Sequence, residues 1–182
     1  MKSLRQGGLT LIELLVVLSI AVILMALAAP SFNETLRRNR IETAANGLLS
    51  ALNFARTEAI RRGVSITVRK NGTQWEQGYF AFVDTNGNGS QDTGEALLRR
   101  RDALPAGYTL RTNSNNFANY IRYNARGEIA NNSTGGYFIV CFNGQLKGAK
   151  AIVLTPVRAV MAGDLDGNGI PESDSGNINS CN

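Results

Sequence analysis

The chain opens with one unbroken apolar stretch, continues as a striped helix, and then changes to short alternating runs. From Leu9 to Ala29 only Thr10, Glu13 and Ser19 interrupt the apolar residues. About 20 such residues in a helix, at 1.5 Å each, span a bilayer core. The stretch therefore predicts a membrane-spanning helix. Beyond Pro30, the residues Ile41, Ala45, Leu48, Leu52, Ala55 and Ala59 recur at alternating spacings of four and three, which is one apolar stripe. Arg37, Arg38, Arg40, Glu42, Arg56 and Glu58 flank it. The pattern predicts a single helix from Leu9 to about Arg62, about 80 Å long, lipid-facing in its first half and amphipathic in its second. Gly63 supplies its stop. Pro30 has no N–H to give to the carbonyl of Ala26 and should bend or loosen the helix near the membrane exit.

After Gly63 the period changes to that of strands. Val64–Arg69 alternates and meets Asn71-Gly72, a strong hairpin signal. Trp75, Tyr79–Val83, Ala96–Arg100, Tyr108–Arg111, Tyr120–Tyr123, Tyr137–Phe142 and Ala151–Thr155 follow as strand-like runs between Gly, Asn and Pro clusters. The fold class expected is α+β, a long N-terminal helix packed on antiparallel β-sheet.

Two features distinguish the apolar stretch from a plain anchor. Glu13 lies inside it, where a carboxylate costs several kcal/mol unless neutralised or paired, so an intramembrane acid points to function. The preceding segment, Met1–Gly8, carries Lys2 and Arg5 and ends in Gly-Gly, without the apolar core and small-residue cleavage site of a secretory signal. A short basic leader ending in Gly8, then Leu-Thr-Leu-Ile-Glu with the acid at the fifth position, then an apolar run to a proline, closely resembles the type IV prepilin signal. That resemblance implies cleavage between Gly8 and Leu9 by a prepilin peptidase, N-methylation of Leu9, and a helix used as a filament core. Leu9 stands where most of the family has Phe. Physical reasoning reaches the same role for Glu13: a helix that leaves the membrane to pack with identical helices can pair this acid with the amine on a neighbour's Leu9. Such a pair sets register more than it adds stability.

The features of the second half, DTNGNG on a hairpin, then GEALLRR, NARGEIA, YFIVCF and a terminal cysteine, resemble the GspH/FimT/FimU group of minor pilins and pseudopilins. One departure is Pro156 and Val157, where that group usually has a Gly-Arg turn. The domain boundaries that follow are a leader at 1–8, a membrane and filament-core helix at 9–29, and a head at 30–182 made of an amphipathic helix to about 62 and a β-domain at 63–182.

Charge and composition narrow the chemistry. The chain of 182 residues carries 19 Lys and Arg against 14 Asp and Glu, a net charge of +5, with two of those bases, Lys2 and Arg5, in the leader. They place the N-terminus in the cytoplasm and the head on the far side, where disulfides are permitted. The absence of histidine removes serine-histidine and cysteine-histidine nucleophiles and most zinc sites. No enzyme is expected.

Asp84–Glu95 satisfies the spacing of a calcium loop, with side-chain oxygens at Asp84, Asn86, Asn88, Ser90 and Asp92 and the closing acid at Glu95. Its flanks are strand-like rather than helical, so a plain hairpin turn built on Asn and Gly is the competing reading. Calcium is the one cofactor these residues suggest. A second run, Asp164–Glu172, repeats the opening but has Ser175 at the closing position, which favours a solvated turn. Cys141 and Cys181, the sole cysteines, most simply form a bridge pinning the tail to the sheet, with two buried thiols as the other arrangement. Arg99, Arg100 and Arg101, with Arg111, Arg122, Arg126, Lys147, Lys150 and Arg158, would form a phosphate-binding face if the strands aligned them, with Tyr108, Tyr120 and Tyr123 as stacking platforms.

The function expected is that of a minor pilin, held in the bacterial inner membrane with its head in the periplasm, then extracted into a type IV pilus, near the tip and aiding initiation. Its partners would be other minor and major pilins, the inner-membrane assembly platform and the prepilin peptidase. Two alternatives stand: a pseudopilin of a type II secretion system, and a minor pilin that binds DNA through Arg99, Arg100, Arg101 and Arg158 during transformation.

Overall fold

The computed structural model describes residues 10–181 apart from 132–133 and 174–175, with the backbone alone at 26–31. The Gly8–Leu9 junction and its methylation site lie outside the described residues. The chain divides into two compact units, Met1–Arg38 and Asn39–Asn182.

One helix, α1, runs from Leu11 to Arg62. Thr10 begins it: its hydroxyl accepts the N–H of Glu13 at 3.3 Å, relieving one of the unpartnered donors of a helix start. The assignment is continuous through Pro30. In the first unit every large apolar side chain described from Leu11 to Met25 is at least half exposed, and Ser19 turns its hydroxyl back onto the carbonyl of Leu15 at 2.8 Å. Among the described residues no helix is long and apolar enough to cross a membrane. The expected 9–29 span runs beyond the residues whose side chains are described.

In the second unit all six residues of the predicted stripe, Ile41, Ala45, Leu48, Leu52, Ala55 and Ala59, are buried. The helix stops at Gly63, whose φ of +67° no other residue adopts cheaply and whose N–H reaches the carbonyl of Ala59 at 2.9 Å.

Two four-stranded antiparallel sheets follow. The first has the order β3-β2-β1-β5, with β1 Ile66–Lys70, β2 Tyr79–Val83, β3 Leu97–Arg101 and β5 Tyr120–Tyr123. The second has the order β4-β6-β7-β8, with β4 Tyr108–Thr112, β6 Gly136–Phe142, β7 Gln145–Thr155 and β8 Arg158–Met161. Two-residue strands β9 (Glu172–Ser173) and β10 (Gly176–Asn177) pair in the tail. Asn71-Gly72 does not make a two-residue turn. The link from Lys70 to Tyr79 holds a 3-10 turn at Trp75–Gln77, so Trp75 is not in a strand. Its indole fills the core, edge-on to Phe138 with centroids 5.0 Å apart, and its N–H donates to the carbonyl of Phe117 at 3.0 Å.

Strand β6 explains the uninterrupted apolar run at Tyr137–Phe142. Phe138 and Val140 face the main core under α1, whereas Ile139 and Cys141 face a second cluster with Ala149, Ala151, Ile178 and Cys181. A strand covered on both faces has no polar face to alternate with. The tail is the second cover.

Candidate functional site

Three places in the molecule answer to the sequence candidates: the first turns of α1, the link between β2 and β3, and the tail clamp.

Glu13 occupies the first turn of α1 and is exposed, as are the apolar residues around it. A carboxylate there also complements the positive end of the helix dipole. Together with the Thr10 hydroxyl this is the opening half of a capping box, T-x-x-E, a signal present in the sequence that the membrane reading of Glu13 passed over.

The tail clamp is a disulfide between Cys141 and Cys181, with Cα atoms 6.1 Å apart. Cys141 is fully buried in β6, and the chain end folds back so that Ile178 is 2% exposed against it.

In the β2–β3 link, Asp84–Glu95, Asp84 is buried while Asn86, Asn88 and Asp92 are exposed. Asp84 is fully buried, and its Oδ2 accepts the Thr67 hydroxyl at 2.6 Å and the Gly89 N–H at 3.0 Å. The side-chain amides of Asn86 and Asn88 each donate to Asp92 Oδ2 at 2.8 Å. Those two bonds hold the Asp92 carboxyl below its ordinary value. Ser90 gives its N–H to Asn88 Oδ1 at 2.7 Å, and Glu95 accepts the N–H groups of Thr85 at 2.8 Å and Asp92 at 2.9 Å. Among the described residues no group of three or more acids, cysteines or histidines stands ready to hold a metal ion. The spacing from Asp84 to Glu95 thus yields a loop closed by its own hydrogen bonds. Asp164–Glu172 repeats the opening turn: Gly169 N–H reaches Asp164 Oδ2 at 2.9 Å, and Asp164 itself is exposed.

The arginines do not form one face. Arg99, Arg100 and Arg101 lie on β3, an edge of the first sheet, and Arg158 on β8, an edge of the second. Arg99 donates to Ser50 Oγ at 3.1 Å and lies over the Phe54 ring. Arg111 pairs with Glu76, and Arg126 with Glu128 at 2.9 Å. Tyr108 and Tyr123 are core residues, 6% and 1% exposed, so neither offers a ring to a base. Burial first, only partly offset by Arg101 and Arg99, pushes the Tyr79 hydroxyl up to about 12.

A model of the family described as "Type II transport protein GspH" matches residues 44–157, and one described as "Prokaryotic N-terminal methylation motif" matches residues 3–29. The pilin-like protein PilA1 of Thermus thermophilus is 41% identical over 92 residues, covering 50% of this chain and 57% of that protein. The match thus spans a little over half of that relative's length. The fold resembles the crystal structure of the type IV minor pilin FimU of Pseudomonas aeruginosa, with a TM-score of 0.59 and 24% identity over 80% of this chain and 98% of that one. It also resembles the minor pseudopilin EpsH from the type 2 secretion system of Vibrio cholerae, with a TM-score of 0.50 and 14% identity over 67% and 95%. The family model lies on the stretch that builds the amphipathic end of α1, the first sheet and all of the second but β8, and the methylation motif lies on the apolar helix start, so this chain belongs to the GspH family of pilin-like proteins.

Proposed function

We propose that this protein is a minor pilin: cleaved after Gly8, methylated on Leu9, held in the inner membrane by the 9–29 helix, and drawn into a type IV pilus near its tip, where it aids initiation. The observation that carries this reading is the apolar start of α1. From Leu11 to Met25 its large apolar side chains are at least half exposed, and an apolar helix needs lipid or other helices around it. The methylation motif over the same residues supports a helix that uses both in turn. Glu13 then meets the Leu9 amine of a neighbouring subunit in the dry filament core. The partners are other pilins, the assembly platform and the prepilin peptidase.

The second reading, a pseudopilin of a type II secretion system, draws on the family's description and on the likeness to EpsH. The same helix would serve both. The division of Arg99, Arg100 and Arg101 from Arg158, and the burial of Tyr108 and Tyr123, speak against the DNA-binding alternative.

The test is made in the native host. Mass spectrometry should find a mature chain beginning at methylated Leu9. Glu13→Ala should leave the protein in the membrane and absent from sheared filaments, while charge reversal of Arg99, Arg100 and Arg158 leaves filament number unchanged. An intact Met1 terminus, or normal incorporation of Glu13→Ala, defeats the proposal.

A further inference from the structure

Among the described residues, Asp84 is the sole charged side chain that is buried. Its Oδ2 is satisfied by Thr67 and Gly89, yet its Oδ1, equally out of reach of water, meets no donor. An ionised oxygen left so is costly, and a native fold keeps one where a cation or an ordered water completes it. Oδ2 joins the carboxylate to the β2–β3 loop on one side and to β1 on the other, because its two donors are the Gly89 N–H in the middle of that loop and the Thr67 hydroxyl.

The remaining oxygen-bearing side chains belong to the same loop. Asn86 and Asn88 bring their amides to one oxygen of Asp92, so the third, fifth and ninth positions of the loop already meet at one point. There the two amide NH₂ groups do what a cation would do, neutralising a carboxylate. Each amide oxygen already accepts a backbone N–H, Asn86 Oδ1 that of Asn88 at 3.1 Å and Asn88 Oδ1 that of Ser90 at 2.7 Å, and each keeps a second lone pair that a cation displacing the NH₂ groups from Asp92 would use. Gly87 and Gly89, at φ +72° and +75°, give the backbone the sharp turn this requires.

We propose that the loop binds one calcium ion, with Asp84 Oδ1, Asn86, Asn88 and Asp92 as side-chain donors and Glu95 as the closing ligand. Calcium fits better than magnesium because the donors are oxygens on a pliable loop, without the octahedral cage that the smaller ion demands. The site is weak for an electrostatic reason. Arg69 donates to the carbonyl of Gly89 and the Arg122 guanidinium lies against Gly87, so two fixed positive charges offset part of the charge of three acids. The affinity expected is that of extracellular modules, a Kd of about 10⁻⁴ to 10⁻³ M. Binding ties the end of β2 to the start of the exposed edge strand β3.

The test uses the full mature chain in detergent. The Tyr120 ring packs on Gly89, so terbium in the loop should luminesce on tyrosine excitation and be displaced by calcium. Calcium at about 10 mM should raise the folded-to-unfolded ratio about 10- to 100-fold, and the same magnesium concentration should do much less. Glu95→Gln and Asp92→Asn alter a half-buried and an exposed side chain respectively, and each should weaken calcium binding at least about tenfold. Absence of heat and of terbium displacement at about 10 mM calcium overturns the proposal in favour of an ordered water beside Asp84. An equal response to magnesium overturns it too, as does unchanged affinity in Glu95→Gln, which would move binding to the Asp164–Glu172 run.

Discussion

Cutting the Cys141–Cys181 bridge tests how the second face of β6 is held. The two cysteines are 40 residues apart, and closing a loop of that length removes about 13 cal/mol/K from the unfolded chain, or about 4 kcal/mol at 25 °C. Alanine is the right replacement at both positions, because a serine hydroxyl among Ile139, Ala149, Ala151 and Ile178 would be buried without a partner. Once the bridge is gone the tail depends on Ile178, whose burial contributes about 1.5–3 kcal/mol, and on a few backbone bonds. These include Gly148 N–H of β7 to Gly169 at 2.7 Å and, within the tail, Glu172 N–H to Gly163 at 2.8 Å and Ile178 N–H to Pro171 at 3.2 Å. Two outcomes are therefore consistent. If the tail stays docked, the full chain entropy returns to the unfolded state and stability falls by about 4 kcal/mol. If the tail peels away, the native state gains freedom as well, the loss is smaller, and the amides of Glu172 and Ile178 lose exchange protection while β6 and β7 keep theirs. Urea titration of the full chain in detergent, followed through Trp75, the sole tryptophan and a core residue, gives the global term. Amide exchange gives the local one. A loss under about 1 kcal/mol with Ile178 still protected would refute the reasoning.

Hydrogen bonds from Arg61 and then Arg62 hold the Glu58 carboxyl at about 2 against an ordinary 4.5. Since the folded value is the lower one, its stabilisation is complete above about 4.5 and disappears as pH falls through about 2. An NMR titration of Glu58 with a midpoint above 4 would contradict this, and Glu58→Gln should remove this contribution to acid sensitivity. Gly78→Ala should cost about 2–4 kcal/mol, combining positive-φ strain with overpacking, because its φ is +99° and a Cβ there would lie 2.5 Å from the carbonyl oxygen of Arg101. Gly144→Ala, at φ +70° with open space around it, should cost only the first part, about 1–2 kcal/mol. Equal losses in thermal melts of the two variants would remove the steric argument.

Periodicity within a single segment is what the sequence determined. The stripe from Ile41 to Ala59 needs only its own spacing to declare a buried face, and Gly63 ends the helix through its own φ. The hairpins were less legible. Asn71-Gly72 has the composition of a tight turn but opens an eight-residue link, because burying Trp75 outweighs the local preference. Asn143-Gly144 does make the two-residue turn from Phe142 to Gln145, and recognising it would have placed the start of β7. That start stayed hidden behind the polar positions Gln145, Lys147 and Lys150. The same holds for β8 beyond the Pro156-Val157 turn, since strand pairing supplies its hydrogen bonds whatever the side chains are. At the sites, spacing alone set out the candidate ligands from Asp84 to Glu95 and the single way to pair two cysteines. Only the tertiary structure decided that Asp84 is buried beside Thr67 with one oxygen unmet, that Arg99–Arg101 and Arg158 lie on edges of different sheets, and that the second face of β6 is covered by the tail. The reason is physical: a residue's period records whether it is buried, whereas what buries it depends on contacts between segments distant in sequence, 17 residues apart for Thr67 and Asp84 and 40 for Cys141 and Cys181, and no local pattern encodes those.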